Sequence, residues 1–227
     1  MIRTILFDLD GTLVDTEPLH YAAFTEVLRP EGVELSRAKY FSRLIGYNDH
    51  DCFEVVLKEH AKDASASHID TLIARKAASY QDMIRNRDVM YTGAADFVRA
   101  CAGRFPLMIV TGTLRAEAEM ILRRACIRDL FVDIIAAEDV EHGKPAPEGF
   151  IAALGRLGFM LRQRDAIAPA EALVIEDTAA GIEAARRAGM RVLALKHTAL
   201  EADLAGADII RESLRDTDLD DILRRLA

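Results

Sequence analysis

The feature that most constrains this chain is a set of short apolar runs of strand length: Thr4 to Phe7, Leu107 to Val110, Asp133 to Ala137, Ala172 to Ile175 and Val192 to Leu195. A strand with one face in water alternates apolar and polar residues, whereas a strand covered on both faces reads as a continuous apolar run. Most of these runs are followed by apolar residues at helical spacing. Buried strands that alternate with helices pair in parallel through crossover connections. The expectation is an α/β fold, a doubly wound parallel sheet with helices on both faces, to which Ala207 to Ile210 is a candidate last strand. Hydrophobic residues make up 51% of the 227, enough to fill such a core.

Between Thr16 and Asn86 the pattern changes. Leu19, Ala22, Ala23 and Val27, then Phe53, Val56 and Leu57, then Ile69, Leu72, Ile73 and Ala77 fall at helical spacing, with no strand-like run among them. This predicts an all-helical domain over residues 16–86, inserted into an α/β domain made of residues 1–15 and 87–227. The insertion follows the first strand directly, so it is expected over the carboxyl ends of the strands, where open α/β sheets bind ligands.

The formal net charge is -8, with 37 acidic against 29 Lys and Arg residues, which argues against nucleic acid or an anionic membrane as partner. A small anionic substrate stays open, since local cations hold such a ligand. Three widely spaced cysteines, Cys52, Cys101 and Cys126, lack metal-ligand spacing and read as buried thiols of a reducing compartment. No apolar stretch approaches the length of a membrane span, and the chain enters its first strand with no apolar leader, so a soluble cytoplasmic protein is expected.

Four polar stations stand at the ends of the predicted strands. Asp8 and Asp10 in "FDLDGTLVDTE" are two residues apart, a spacing that lets both side chains face one site, and Gly11 permits a turn whose N–H groups could meet an anion. Like charges so close need a cation, a proton or full solvation. The second station is Thr111-Gly112-Thr113, before a helix expected from Leu114 to Ala125; Thr113 reads as its N-cap, and Thr111 sets a hydroxyl where phosphate is well accommodated. The third is Lys144 in "HGKPAPEGF", on a loop stiffened by Pro145 and Pro147, where an ammonium could offset the acids and bind phosphate. Glu176-Asp177, before a helix running to Arg187, forms the fourth, and Asp177 or Thr178 could equally be a helix cap. Each has a structural reading alone. All four on one sheet edge suit Mg²⁺, a hard ion taking oxygen ligands, bridged to a phosphate.

In order and spacing, "DLDGTLVDTE", "VTGT", "GKPAPEGF" and "IEDTAAGIEAARRAG" resemble the four motifs of the haloacid dehalogenase superfamily of phosphotransferases, over nearly the whole chain. The resemblance implies that Asp8 is a nucleophile forming an aspartyl-phosphate and Asp10 a general acid and then base. It further implies that Thr111, Gly112 and Lys144 bind the transferring phosphoryl group. Asp8, the Asp10 carbonyl and Asp177 would ligate Mg²⁺, with Glu176 supporting through water. The insertion resembles the mobile cap of the family's first subclass, with Asp15 and Glu17 at its hinge.

Asp10 disfavours the dehalogenases and phosphonatases, which lack an acid there. A phosphoryl-accepting receiver module, built from similar groups, would lack the insertion and the second aspartate. The nearer alternative is a phosphomutase resembling β-phosphoglucomutase, whose cap positions His20 and Lys76 match. There, however, an arginine follows the cap glycine, here Gly46, and this chain reads Tyr47-Asn48-Asp49. The expected activity is therefore Mg²⁺-dependent hydrolysis of a phosphomonoester of a small metabolite, with His20, Asp49 and Lys76 as candidate substrate contacts.

Overall fold

The computed structural model describes residues 1–45, 47–85, 87–161, 166–199 and 201–226. Gly46, singled out above as the cap glycine, and Asn86, at the expected domain boundary, lie outside the described residues. Among the described residues six strands, β1 (Thr4–Phe7), β2 (Leu107–Val110), β3 (Asp133–Ile135), β4 (Ala172–Glu176), β5 (Arg191–Leu195) and β6 (Ile209–Arg211), form one sheet in the order β3-β2-β1-β4-β5-β6. All neighbouring pairs are parallel. The α/β doubly wound expectation therefore holds, and β1 lies at the switch point, flanked by strands reached in opposite directions.

Alternate residues of each strand serve opposite faces. Ile5 and Phe7 join one apolar cluster with Ile109, Leu173 and Ile175, while Leu6 joins the other with Met108, Val110 and Val174. Helices α5 (Ala94–Ala102), α6 (Arg115–Arg124) and α9 (Leu219–Arg225) contribute to the first cluster, and α7 (Glu148–Met160) and α8 (Ala179–Arg187) to the second. Burial on both faces explains why the strands carry no polar alternation. No helix among the described residues is long and apolar enough to cross a membrane.

Residues 17–84 form α1 (Glu17–Leu28), the short α2 (Arg37–Lys39) continued by a wide turn, α3 (Asp49–Glu59) and α4 (Ala66–Ile84). They enclose an apolar cluster of their own, with Phe24, Leu28, Phe53, Leu57, Ile69 and Leu72 at its centre. Leu19 and Ala23 of α1, and Tyr80 and Ile84 of α4, belong instead to the cluster under the sheet. The chain enters and leaves this helical segment side by side: the Asp15 N–H donates to the Val89 carbonyl at 2.8 Å and the Tyr91 N–H to the Leu13 carbonyl at 3.0 Å. One cysteine departs from expectation. Cys52 and Cys101 are buried, but Cys126 follows the end of α6 in a left-handed turn and is exposed.

Candidate active site

Register brings three strand ends to one edge. Phe7 pairs with Ile109 on one side and Ile175 on the other, so Asp8, Thr111 and the Glu176-Asp177 pair emerge together. The ladder continues past the strands, with the Asp8 N–H donating to the Ile175 carbonyl at 3.0 Å and the Thr111 N–H to the Ile135 carbonyl at 2.9 Å. Lys144, from the loop before α7, reaches in and sets its Nζ 2.5 Å from Asp8 Oδ1 and 2.6 Å from Glu176 Oε1.

The acids are held from behind. Glu176 Oε2 accepts from the N–H groups of Asp177 at 3.0 Å and Thr178 at 3.1 Å, and from the Thr178 hydroxyl at 3.0 Å. Thr178 in turn caps α8, its hydroxyl accepting from the Gly181 N–H at 3.1 Å, which resolves the capping question left by the sequence. A Cβ on Gly181 would lie 1.8 Å from Glu176 Oε1, so no side chain fits there. Asp177 accepts from the Thr12 hydroxyl at 2.7 Å and from that of Thr198. Gly11 has φ +80° and a Cβ there would meet Asp177 Oδ2 at 2.1 Å, so both backbone and space require glycine.

Asp8, Glu176 and Asp177 offer carboxylate oxygens that all lie within 4.8 Å of one another. Burial pushes the Asp8 carboxyl well above its ordinary range; Lys144 opposes this, while Glu176, Asp177 and Asp10 add to it. Asp177 is likewise pushed up by burial and by Glu176, against the hydroxyls of Thr12 and Thr198. Burial alone would lower the Lys144 ammonium, but Asp8 and Glu176 hold it well above its usual value, so it stays charged. Three buried acids share one ammonium, so without a further cation two of them are driven toward their protonated forms, and they present an all-oxygen donor set. That set fits a hard divalent cation.

Asp10 faces the helical segment. Its Oδ1 accepts from Thr16 Oγ1 at 2.5 Å and lies 3.2 Å from His20 Nε2, while its Oδ2 accepts from Thr111 Oγ1 at 3.4 Å and from the Thr113 hydroxyl. Thr113 is therefore not the N-cap of α6; Leu114 occupies that position and gives no side-chain cap. The Thr113 hydroxyl is drawn instead to a carboxylate that is distant in the chain. Burial would raise the Asp10 carboxyl, yet His20, Thr113 and Thr16 outweigh it and hold the group below the ordinary carboxylate range.

The opposite wall comes from the helical segment. Glu17, His20, Phe24, Tyr40, Tyr47 and Asp49 line a narrow cleft with Asp8, Asp10, Thr111, Gly112 and Lys144. His20 is buried, with its ring stacked on Tyr80 at 4.1 Å between centroids. Lys76 is fully buried, its Nζ 2.7 Å from His20 Nδ1 and 2.8 Å from Asp49 Oδ1, and it stands behind the cleft wall. Asn48 caps α3 by accepting from the Asp51 N–H at 2.8 Å. Asp49 Oδ2 is buried without a hydrogen-bond partner among the described residues.

Glu17, read from sequence as a hinge residue, lies on the cleft wall itself. It accepts from the Tyr40 hydroxyl at 2.8 Å, and burial together with Asp10 pushes its carboxyl up to about 7, against Tyr40 and Lys76. Its signal was an acid one residue before Pro18, in the first turn of a helix whose inner face is apolar apart from Glu17 and His20.

Residues 5–195 match the family model described as haloacid dehalogenase-like hydrolase. The chain is 31% identical to the fructose-1-phosphate phosphatase of Escherichia coli K12 over 82% of its own length and 92% of that protein. It is 32% identical to the validoxylamine A 7'-phosphate phosphatase of Streptomyces hygroscopicus subsp. limoneus, over 94% and 95% of the two chains. A crystal structure of β-phosphoglucomutase from Clostridium difficile superposes with a TM-score of 0.86 at 22% identity, covering 100% of this chain and 97% of that one, a likeness of fold.

Proposed function

The chain belongs to the haloacid dehalogenase-like hydrolases, and from that premise we propose that it hydrolyses phosphomonoesters of small polyhydroxylated metabolites, with Asp8 as nucleophile and residues 16–86 as a cap over the site. The observation that carries this reading is the meeting, in one cleft, of the Asp8–Lys144–Glu176 ion-paired group with Asp10 and the Thr111 hydroxyl. Relatives whose names specify phosphorylated sugars or sugar-like compounds support the substrate class.

Asp8 Oδ attacks phosphorus while the bond to the leaving oxygen breaks and Asp10 gives that oxygen a proton, producing the free alcohol and an aspartyl-phosphate. Water then attacks the same phosphorus, Asp10 takes its proton, and the bond to Asp8 breaks to release inorganic phosphate. In the resting arrangement Asp10 is held ionised by His20 and the threonine hydroxyls. A phosphate dianion entering beside it raises its proton affinity, so Asp10 takes up a proton from solvent as substrate binds and holds it for the leaving oxygen; in later turnovers that proton is the one it takes from the attacking water. Lys144 offsets the repulsion between Asp8 and the incoming phosphate, and the Thr111 hydroxyl donates to a phosphoryl oxygen. Asp8, Asp177 and the Asp10 carbonyl would hold Mg²⁺, with Glu176 fixing Lys144 and the loop beside it. When bound, the ion supplies positive charge to the phosphoryl oxygens.

The same core groups would serve a phosphomutase, and the β-phosphoglucomutase fold favours considering one. The residues after the cap glycine weigh against it: Tyr47, Asn48 and Asp49 stand where such a mutase has an arginine for the second phosphate, and the Asp49 carboxylate is paired with Lys76 rather than with a cation offered to the cleft. Phosphate release across hexose and polyol monophosphates, with and without Mg²⁺, tests the reading beside a coupled assay for glucose 6-phosphate. The expected result is Mg²⁺-dependent phosphate release and no efficient conversion of β-glucose 1-phosphate. Stoichiometric glucose 6-phosphate with little free phosphate would establish the mutase instead.

A further inference from the structure

Asn48 stands at the N-terminus of α3, where the helical segment meets the two loops that carry Thr111 and Lys144. Its backbone lies against Gly112, next to Thr111: a Cβ on Gly112 would be 3.5 Å from the Asn48 N and Cα atoms. Its side chain lies against Gly143, next to Lys144: a Cβ there would be 2.3 Å from Asn48 Nδ2, 3.2 Å from Asn48 Cγ and 3.4 Å from Asp51 Oδ2. One residue of the helical segment thus touches both loops, and at Gly143 the approach is too close for any side chain.

Backbone conformation does not explain glycine at position 143. Its φ is not positive, unlike those of Gly11, Gly32, Gly93 and Gly189, so alanine could adopt it. What excludes a side chain is Asn48, and the Asn48 amide is not free to step aside. Its Oδ1 accepts from the Asp51 N–H at 2.8 Å and caps α3, while its Nδ2 donates to Asp51 Oδ2 at 3.0 Å. Rotating the amide away from a methyl would give up both bonds. On the core's side, the Ala146 N–H donates to the Gly143 carbonyl at 2.9 Å, so Gly143 and Lys144 belong to one turn. A displacement of Gly143 therefore moves the loop that holds the Lys144 ammonium beside Asp8 and Glu176.

We infer that Asn48 is a positioning residue: seated between Gly112 and Gly143, it fixes the helical segment against the core and, through Gly143, sets the loop that carries Lys144. The effect on turnover rests on the phosphatase reading given above, whereas the contact itself does not. Gly143→Ala is expected to lower kcat/KM about thirtyfold while the melting temperature stays at or above that of wild type, because alanine in a compatible conformation costs the folded state nothing and restricts the unfolded chain. Gly155→Ala on α7, where a Cβ meets nothing within 4 Å, is the control and is expected to turn over as wild type does. Asn48→Ser keeps a capping oxygen but removes the amide that the new methyl would strike. In the Asn48→Ser background, Gly143→Ala is expected to cost less than about threefold, and that non-additivity is what a helix cap alone does not produce.

A cysteine pair reads the contact without reference to activity. Asn48 Cγ, whose place a cysteine sulfur takes, lies 3.2 Å from the Cβ position at 143, within disulfide reach. With oxidised glutathione as oxidant, Asn48→Cys/Gly143→Cys is expected to form the 48–143 disulfide in most molecules, as mapped by mass spectrometry. The inference is overturned if both thiols stay open to alkylation, if Gly143→Ala turns over within about twofold of wild type, or if its loss is the same in both backgrounds. If wild type releases phosphate from no ester, the phosphatase reading falls, and the cysteine pair alone decides whether Asn48 occupies this seat.

Discussion

The two walls of the cleft are built on different principles. On the sheet's wall, Asp8, Thr111, Glu176 and Asp177 take their places from strand ends held in register, and the backbone sets their spacing before any side chain interacts. On the helical wall, Glu17, His20, Asp49 and Lys76 hold one another, through Tyr40, Asp10 and a buried ammonium. Positions fixed by backbone tolerate loss of a neighbour; positions fixed by mutual charge do not. Chemistry common to a family belongs on the first kind of wall, and selection among substrates on the second.

The sharpest way to break this comparison is Asp8→Asn, which should lower kcat by about 10⁴-fold or more while leaving the melting temperature near wild type or above it. Turnover close to wild type would take the nucleophile off the sheet's wall. Chelation should come next, with a loss of about 10³-fold reversed by Mg²⁺, since the ion's charge contributes several kcal/mol to phosphoryl transfer. Undiminished activity in metal-free buffer would mean that the three acids serve only Lys144. Lys76→Met tests the helical wall, where about tenfold in kcat is expected from loss of the donor to His20. A loss as large as that of Asp8→Asn would show that the helical wall carries the chemistry too.

A smaller effect concerns stability where the walls meet. The Glu117 carboxyl is raised from its ordinary 4.5 to about 7 by burial, against Lys76 and His20. The folded protein thus binds a proton more tightly than the unfolded chain. This contribution is fully present below pH 4.5 and is lost as pH rises through about 7, an amount on the order of 3 kcal/mol. Denaturant titrations at pH 4.5 and 8 should therefore show Glu117→Gln losing stability at pH 4.5 relative to pH 8 when compared with wild type; identical pH dependence would contradict it. Smallest is Thr178→Ala, expected to cost about 1 kcal/mol through the lost cap of α8, measurable as a lower denaturation midpoint.

The strands were legible because burial on both faces leaves a run that needs no tertiary information. β1 and β2 match their expected limits, and β4 and β5 differ by a residue at one end. β3 stops at Ile135 because Ala137–Asp139 turn into a short 3-10 helix, and β6 starts later because the Asp208 side chain accepts from the Val192 N–H at 2.8 Å. The motif residues were legible through strand-end spacing and family resemblance together. Thr113 was misread because cap and hydrogen-bond donor share one local pattern, and only the fold brings Asp10 to it. Glu117 gave a faint signal, an acid on the same helix face as Ala118, Ile121 and Leu122. Periodicity counts such a residue as an interruption and cannot see that the fold buries it completely.

The paired crossings at Leu13–Asp15 and Val89–Tyr91 carry a consequence for how such proteins diversify. Because the two ends of the helical segment are neighbours, a longer or shorter segment between them changes the closure entropy only slowly, by about 0.6 kcal/mol per doubling of length. The sheet need not shift its register to accept a different insertion. A graft of another helical segment at these crossings should therefore leave Asp8, Thr111, Glu176 and Asp177 in register and exchange what the cleft accepts, provided that the graft again supplies partners for Asp10 in place of Thr16 and His20.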